Sequence, residues 1–108
     1  MNVTSGDAGS VEPTSTPGDV VNDPTKQRFE VRDGTALASL QYALRRGRLH
    51  LIHTEVPKAL EGRGYASALA RAALEYAKQE QLRVVPICPF VRGYLQRHPE
   101  YASLVARP

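Results

Sequence analysis

The sequence predicts a single small α/β (α+β) domain, in which a meander of antiparallel strands precedes a long helix, a further strand and a C-terminal helix. Three observations predict it. Apolar and polar side chains alternate before residue 56, apolar ones recur every three or four positions over residues 64–81, and proline and glycine separate the two patterns. A chain of 108 residues holds one domain at most.

The first 25 residues differ in composition from the rest of the chain. They are rich in Ser, Thr, Pro, Gly, Asp and Asn, contain no aromatic residue, and carry four acids but no Lys or Arg. Such a segment buries too little apolar surface to offset its ordering entropy. We therefore expect a disordered acidic tail over residues 1–25 and a folded, positively charged domain over residues 26–108.

The strand meander follows this tail. Alternation over residues 28–32 predicts a first strand, and Asp33-Gly34 is typical of a hairpin turn. Residues 36–44 form a second strand or, because alanine and leucine favour it, a short helix. Residues 45–48 make a polar turn. Residues 49–56 form a third strand, which Pro57 ends.

The second half of the domain begins with a change of period. Residues 64–81 show the spacing of an amphipathic helix. Residues 82–88 form the next strand, in which Pro86 requires an edge, a bulge or an unpaired stretch. Residues 89–98 form a helix with proline at its first turn. Residues 100–106 make a short terminal turn or helix.

Residues 57–66 form the most informative motif, because they join a strand to a helix through two glycines. The first amides of a helix lack acceptors and the helix dipole adds positive potential, so this turn favours a phosphate. Lys58 and Arg63 add positive charge beside it. A dinucleotide-binding interpretation is poor, because Ser67 replaces the third glycine of that motif.

Composition excludes several classes of protein. No apolar run approaches the length of a membrane span, and the first residues lack the basic start and apolar stretch of a secretion signal. Cys88 is the one cysteine, which excludes an internal disulfide and indicates a reducing, cytoplasmic environment. The histidines show no metal-ligand spacing. The positive charge indicates an anionic ligand, but scattered arginines without an aromatic platform disfavour nucleic acid.

With these motifs in this order, the chain resembles the small, single-domain (NATD-like) branch of the GNAT acetyltransferase superfamily. The resemblance extends from about Phe29 to Val105. The matching segments are Asp33-Gly34, Tyr42, residues 53–57, residues 62–66, residues 86–91, Tyr94 and residues 97–101. It implies an acetyl-CoA-binding fold with a central mixed sheet, a parallel strand that splays from its neighbour, and none of the N-terminal helices that cover the acceptor in larger relatives.

The resemblance also implies where acetyl-CoA, the co-substrate, binds. Backbone amides of residues 62–66 hold the pyrophosphate, although Glu61 stands where the wider superfamily has Gln or Arg. The pantetheine arm runs along the third strand and enters a gap near Pro86. The candidate cofactor-binding residues are Thr54, Val56, Lys58, Gly62, Arg63, Gly64, Tyr65, Ala66, Pro89 and Tyr94.

Cys88 and His53 are the candidate catalytic residues. A thiol before a helix start is expected to have a lowered pKa, which makes Cys88 a nucleophile or proton donor; the alternative is a small buried hydrophobe. Within the resemblance, His53 is the candidate base for the incoming amine, with Glu55 as competitor, or else a histidine that packs on the sheet. Strand alternation predicts that His50 points away from His53, and we expect His98 either to cap the preceding helix or to meet solvent.

Together these features predict an acetyl-CoA-dependent N-acetyltransferase whose acceptor is an amine: a lysine, a protein N-terminus or a small molecule. Direct attack by the amine is favoured over a ping-pong route through an acetylated Cys88. The alternative is a non-catalytic module that binds or senses CoA or acyl-CoA. A basic nucleic-acid binder is a further rival. A protein is among the expected acceptors, and a membrane is not an expected partner.

Overall fold

The computed structural model describes residues 19–107. In chain order its elements are the strands β1 Val20–Asp23, β2 Arg28–Asp33, β3 Ala36–Arg45 and β4 Arg48–Glu55, the 3-10 turn Lys58–Leu60, the helix α1 Tyr65–Gln79, the strand β5 Arg83–Pro86, the helix α2 Pro89–Arg97 and the 3-10 turn Pro99–Leu104. Within the described range, no helix is both long enough and apolar enough to span a bilayer.

The strands form one mixed sheet in the order β1-β2-β3-β4-β5. The first four are antiparallel neighbours, and β5 returns parallel to β4 after the α1 crossover. The predicted α/β fold is therefore confirmed. Residues 36–44 lie within a strand rather than the alternative helix, because strand neighbours on both sides supply a full backbone ladder that outweighs the helix propensity of alanine and leucine.

The start of the described range differs from the prediction. Residues 20–23 fall within the expected disordered tail, but they form β1, which pairs with β2 from Val20 opposite Val31 onward. The side chain of Asn22 accepts a hydrogen bond from the Tyr42 hydroxyl at 2.7 Å. An edge strand needs few apolar side chains of its own, since its neighbour supplies the ladder. The rest of the predicted tail, residues 1–18, lies outside the described residues.

The two faces of the sheet differ in chemistry. Alternate residues of β2–β4 face α1 and join one apolar core; we call this the helix face, and it includes Phe29, Val31, Ala38, Leu40, Tyr42, Leu49 and Leu51. The other residues form what we call the open face: Arg28, Glu30, Ser39, Gln41, Ala43, His50, His53 and Glu55. Its β3 and β4 members stay outside the apolar core. The domain thus has one face packed against α1 and a second face with mainly polar side chains, of which Glu30 and Ser39 are buried.

Helix α1 connects the sheet to the C-terminal segments. Its buried residues include Leu69 and Leu74, which are fully inaccessible to solvent. Glu75 on the same helix accepts a hydrogen bond from the Tyr101 hydroxyl at 2.6 Å. This bond, followed by burial, raises the pKa of Tyr101 to about 12, since both favour the protonated phenol. The terminal 3-10 turn is thereby fixed against α1.

Candidate functional site

The connection from β4 to α1 bends sharply at two glycines. After the 3-10 turn Lys58–Leu60, Gly62 and Gly64 adopt left-handed backbone conformations with φ of 79° and 81°. A Cβ added to either glycine would meet no heavy atom within 4 Å. Backbone conformation, not crowding, is therefore what requires glycine at both positions.

The amides that follow this bend have no acceptors. Gly64 occupies the N-cap of α1, where it supplies no side-chain hydrogen bond, and the first turn contains no acid. Ala68 is the first residue of α1 whose amide donates to a carbonyl, that of Gly64, at 3.0 Å. Throughout the described chain, no carbonyl or side chain accepts from the amides of residues 62–67. Six consecutive N–H groups beside a helix N-terminus make a strong potential anion site.

The basic side chains of the loop differ in their surroundings. Lys58 is exposed. Arg63 is 58% exposed and donates to an Asp33 carboxylate oxygen at 3.0 Å. The Tyr65 hydroxyl donates to the same oxygen at 2.8 Å, and this bond is the main reason that the pKa of Tyr65 is raised. Asp33 thus ties the β2–β3 hairpin to the loop, a contact that sequence reasoning missed because no local pattern joins residues 30 positions apart.

Strands β4 and β5 separate beside this loop. Their pairing runs from Arg48 opposite Arg83 to Leu51 opposite Pro86 and then stops. The Leu51 carbonyl accepts from both the Ile87 amide at 3.0 Å and the Cys88 amide at 2.9 Å. Residues 52–55 of β4 therefore have no β5 partner, and the expected gap lies at the position that the resemblance implied.

Cys88 lies at this gap. It is 3% exposed, occupies the N-cap of α2, and its Sγ is 3.2 Å from the Thr54 hydroxyl oxygen. Burial raises the pKa of its thiol, but hydrogen bonds from the Thr54 side chain and from the amides of Val91 and Phe90 together lower it below the usual value. The structure thus brings Thr54 and Cys88 together in a site that lowers the pKa of the Cys88 thiol.

A β-bulge corrects the expectation for His50. His50 pairs with Ala43 and His53 with Gln41, so Ile52 is an extra residue in β4. Because the two β3 partners are two residues apart, both histidines lie on the open face, and the prediction that His50 points away from His53 is wrong. A bulge shifts the alternation of a strand by one residue, which the sequence pattern of β4 does not reveal.

The candidate catalytic residues do not form one contacting pair. Thr54 pairs with Leu40 on the helix face and contacts Cys88, whereas exposed His53 and Glu55 lie on the open face. His53 and Cys88 are therefore on opposite sides of β4. A substrate held in the gap between β4 and β5 would have the thiol on one side and the imidazole on the other.

The remaining candidate residues differ in their exposure and contacts. Val56 is half-buried against the core, and Pro89 is the exposed first residue of α2. Tyr94 is 5% exposed and stacks on His98 at 4.0 Å between ring centroids. Within residues 19–107, its hydroxyl has no hydrogen-bond partner. His98 occupies the C-cap of α2, as expected. In the same range, no group of three or more metal-ligating side chains occurs.

Comparisons with known proteins identify the family. The sequence profile described as GCN5-related N-acetyl-transferase matches residues 28–104. Protein NATD1 of Gallus gallus is 34% identical over 87 residues, which cover 77% of this chain and 78% of that protein. Protein NATD1 of Homo sapiens is 34% identical over 84 residues, with 74% of each chain covered.

The fold has a solved counterpart. The NMR solution structure of a GCN5-like protein from Staphylococcus aureus matches with a TM-score of 0.67 at 22% identity, covering 87% of this chain and 93% of that one. At this identity the likeness concerns the fold, while the profile and the NATD1 proteins carry the family assignment. The chain therefore belongs to the GCN5-related N-acetyltransferase family of acyl-transfer proteins.

Proposed function

We propose that this protein is an N-acetyltransferase that transfers an acetyl group from acetyl-CoA to an amine. The observation that carries the proposal is the run of six amides without acceptors over residues 62–67, beside a helix N-terminus and an open gap in the sheet. Such a run suits a diphosphate, which coenzyme A carries next to its pantetheine arm. Acceptor classes that fit are a lysine, a protein N-terminus and a small amine.

In this proposal the glycine loop and the gap between β4 and β5 bind different parts of acetyl-CoA. Amides of residues 62–66 hold the diphosphate, with Lys58 and Arg63 beside it. The pantetheine arm then runs along residues 52–55, whose edge β5 leaves unpaired. Val56, Pro89 and Tyr94 complete the proposed contacts around the thioester. This path follows the part of the β4 edge that β5 leaves unpaired.

The proposed transfer step uses residues on both sides of β4. A neutral amine attacks the thioester carbonyl, a C–N bond forms, and the C–S bond then breaks. His53 or Glu55 on the open face takes the proton that the amine loses. Cys88 on the other side supplies a proton to the leaving thiolate, and Thr54 stabilises the Cys88 thiolate that results. The open face leaves access for the acceptor, since Gln41, His53 and Glu55 are exposed.

A thiol-release assay tests the proposal. Acetyl-CoA is incubated with the intact protein and a panel of amines, namely a lysine peptide, a peptide with a free N-terminus and a polyamine. We expect acetyl-CoA to raise the melting temperature and at least one amine to release CoA. Stabilisation without release from any amine would instead support a non-catalytic CoA-binding module.

Replacing Thr54 with valine is expected to raise the pH at which Cys88 ionises. The valine keeps the shape of the side chain but removes the hydroxyl that lowers the pKa of Cys88. The thiolate fraction at neutral pH therefore falls. Titration of the ultraviolet thiolate absorbance measures the midpoint, and Thr54→Ser, which retains the hydroxyl, is the control. Equal midpoints in wild type and Thr54→Val would contradict the assigned bond.

The direct route makes a separate prediction for Cys88. Mass spectrometry of the protein mixed with acetyl-CoA alone is expected to show no acetyl group on Cys88, because the amine attacks the thioester itself. Cys88→Ala should retain part of the turnover, since its proton can come from solvent. An adduct on Cys88 that an added amine then removes would overturn the direct route in favour of ping-pong.

A further inference from the structure

Three arginines line up across the sheet at the end away from the glycine loop. Arg45 on β3 lies opposite Arg48 on β4, and Arg48 lies opposite Arg83 on β5. Direct cross-strand partners project from the same face of a sheet, so the three side chains form one row. All three residues are exposed. We call them the arginine row.

The C-terminal segment adds a fourth arginine to this row. Arg48, Arg83, Ala106 and Arg107 line a cleft of about 210 Å³. The C-terminal segment is held against β5 because the Ala106 amide donates to the Val84 carbonyl at 2.8 Å. The Arg83 guanidinium also donates to the Ser103 carbonyl at 2.6 Å. These two hydrogen bonds fix the backbone of the C-terminal segment and the Arg83 side chain beside β5.

The charge of this cleft is not neutralised within residues 19–107. The ion pairs found there involve Arg28, Arg63 and His98, and none of them includes a residue of the arginine row or Arg107. Like charges directly opposite each other destabilise a sheet. This repulsion lowers the stability of the free protein. A bound anion would remove it.

From this arrangement we infer that Arg48, Arg83 and Arg107 form a second anion site, which binds a small phosphate-bearing ligand. Guanidinium groups match phosphate oxygens with two parallel hydrogen bonds each, which favours phosphate over a simple halide. Among the described residues, no aromatic side chain lines the cleft, so this part of the chain offers no stacking platform of the kind that single-stranded nucleic acid uses.

The site is separate from the glycine loop. The two lie at opposite ends of β4, whose eight residues place them about 23 Å apart at a strand rise of ~3.3 Å. Both ligands can therefore be bound at once. The inference does not depend on the proposed acetyltransferase activity, because it rests on the arginines and the cleft alone.

Calorimetric titration with pyrophosphate tests this site. The intact protein first receives one equivalent of CoA, so that the glycine loop is occupied before the probe is added, and ionic strength is held constant. We expect the double variant Arg48→Gln, Arg107→Gln to bind pyrophosphate about a hundredfold more weakly than wild type, or about tenfold for each guanidinium removed. Neither side chain has a described hydrogen bond, so the variant should fold.

Two controls make the result specific. Arg32→Gln removes an exposed arginine from β2, outside the cleft, and should leave pyrophosphate binding unchanged. The double variant should bind CoA as wild type does, which distinguishes this site from the loop. In low salt without an added anion, the melting temperature of the double variant should exceed that of wild type, because one positive charge has been removed from the arginine row and one from Arg107 beside it.

Three outcomes would overturn the inference. Equal pyrophosphate affinity in wild type and the double variant would show that the cleft does not bind it. Loss of CoA binding in the double variant would show that the two sites are one. Affinity for an oligonucleotide that exceeds that for pyrophosphate and grows with oligonucleotide length would assign the arginines to nucleic acid instead.

Discussion

Replacing Gly64 with valine is expected to weaken coenzyme A binding by about a hundredfold or more, the effect of losing two hydrogen bonds to a charged ligand. Gly64 has a φ of 81°, which a β-branched residue adopts only with strain. The backbone would relax and turn the amides of the bend away from one another. Calorimetry with CoA measures the loss.

A matched glycine separates this effect from destabilisation. Gly47 in the β3–β4 turn has a φ of 75° and, like Gly64, has open space where a Cβ would lie. Gly47→Val should therefore cost a similar free energy of unfolding, about 1–2 kcal/mol. It should leave CoA binding intact, because the turn is at the other end of the sheet. Equal loss of CoA affinity in both variants would show that strain alone, rather than loop geometry, is responsible.

Replacing His53 with glutamine is expected to lower kcat about a hundredfold or more at neutral pH, which is the usual contribution of a general base. Glutamine keeps a polar side chain but accepts no proton. The affinity for CoA should not change, because His53 faces the open side of the sheet, away from Thr54 and Cys88. Steady-state rates with the best amine of the panel give kcat, and calorimetry gives the CoA affinity.

Two variants on the same face complete this experiment. His50 is the other histidine of β4 and lies opposite Ala43, further from the unpaired edge. The variant His50→Gln should change kcat less than about threefold, which is within the scatter of surface substitutions. Glu55→Gln tests the competing base. If Glu55→Gln abolishes turnover while His53→Gln retains it, Glu55 is the base and the assignment of His53 is wrong.

Local patterns predicted the parts of the fold that depend on local chemistry. Alternation located β2 and β4 and left residues 36–44 as a strand or a short helix, the 3.6-residue period located α1, and the glycine pair located the bend between β4 and α1. Each of these signals comes from residues close together in sequence, where steric and hydrogen-bond preferences act directly. Pro86 by itself predicted an edge, a bulge or an unpaired stretch, because a residue without an N–H group cannot continue a ladder, whereas the resemblance implied the gap between the strands.

Features that depend on tertiary contacts could not be read from the sequence. β1 consists of four residues with no distinctive composition, and it forms because β2 offers an unpaired edge. The bulge at Ile52 places His50 on the open face although its spacing from His53 indicates the reverse. The hydrogen bond between Arg63 and Asp33 joins segments that are far apart in sequence. Arg45, Arg48 and Arg83 line up only because the folded sheet sets the register of β3, β4 and β5.

Amide NMR during a titration with coenzyme A tests the central claim most directly. If the backbone amides of the bend hold the diphosphate, the largest shifts should occur at residues 62–67, with smaller ones along residues 52–55. The amide resonances around Arg48 and Arg107 should stay in place at low ligand ratios. Binding that leaves residues 62–67 unchanged, or that shifts the arginine cleft first, would contradict this account.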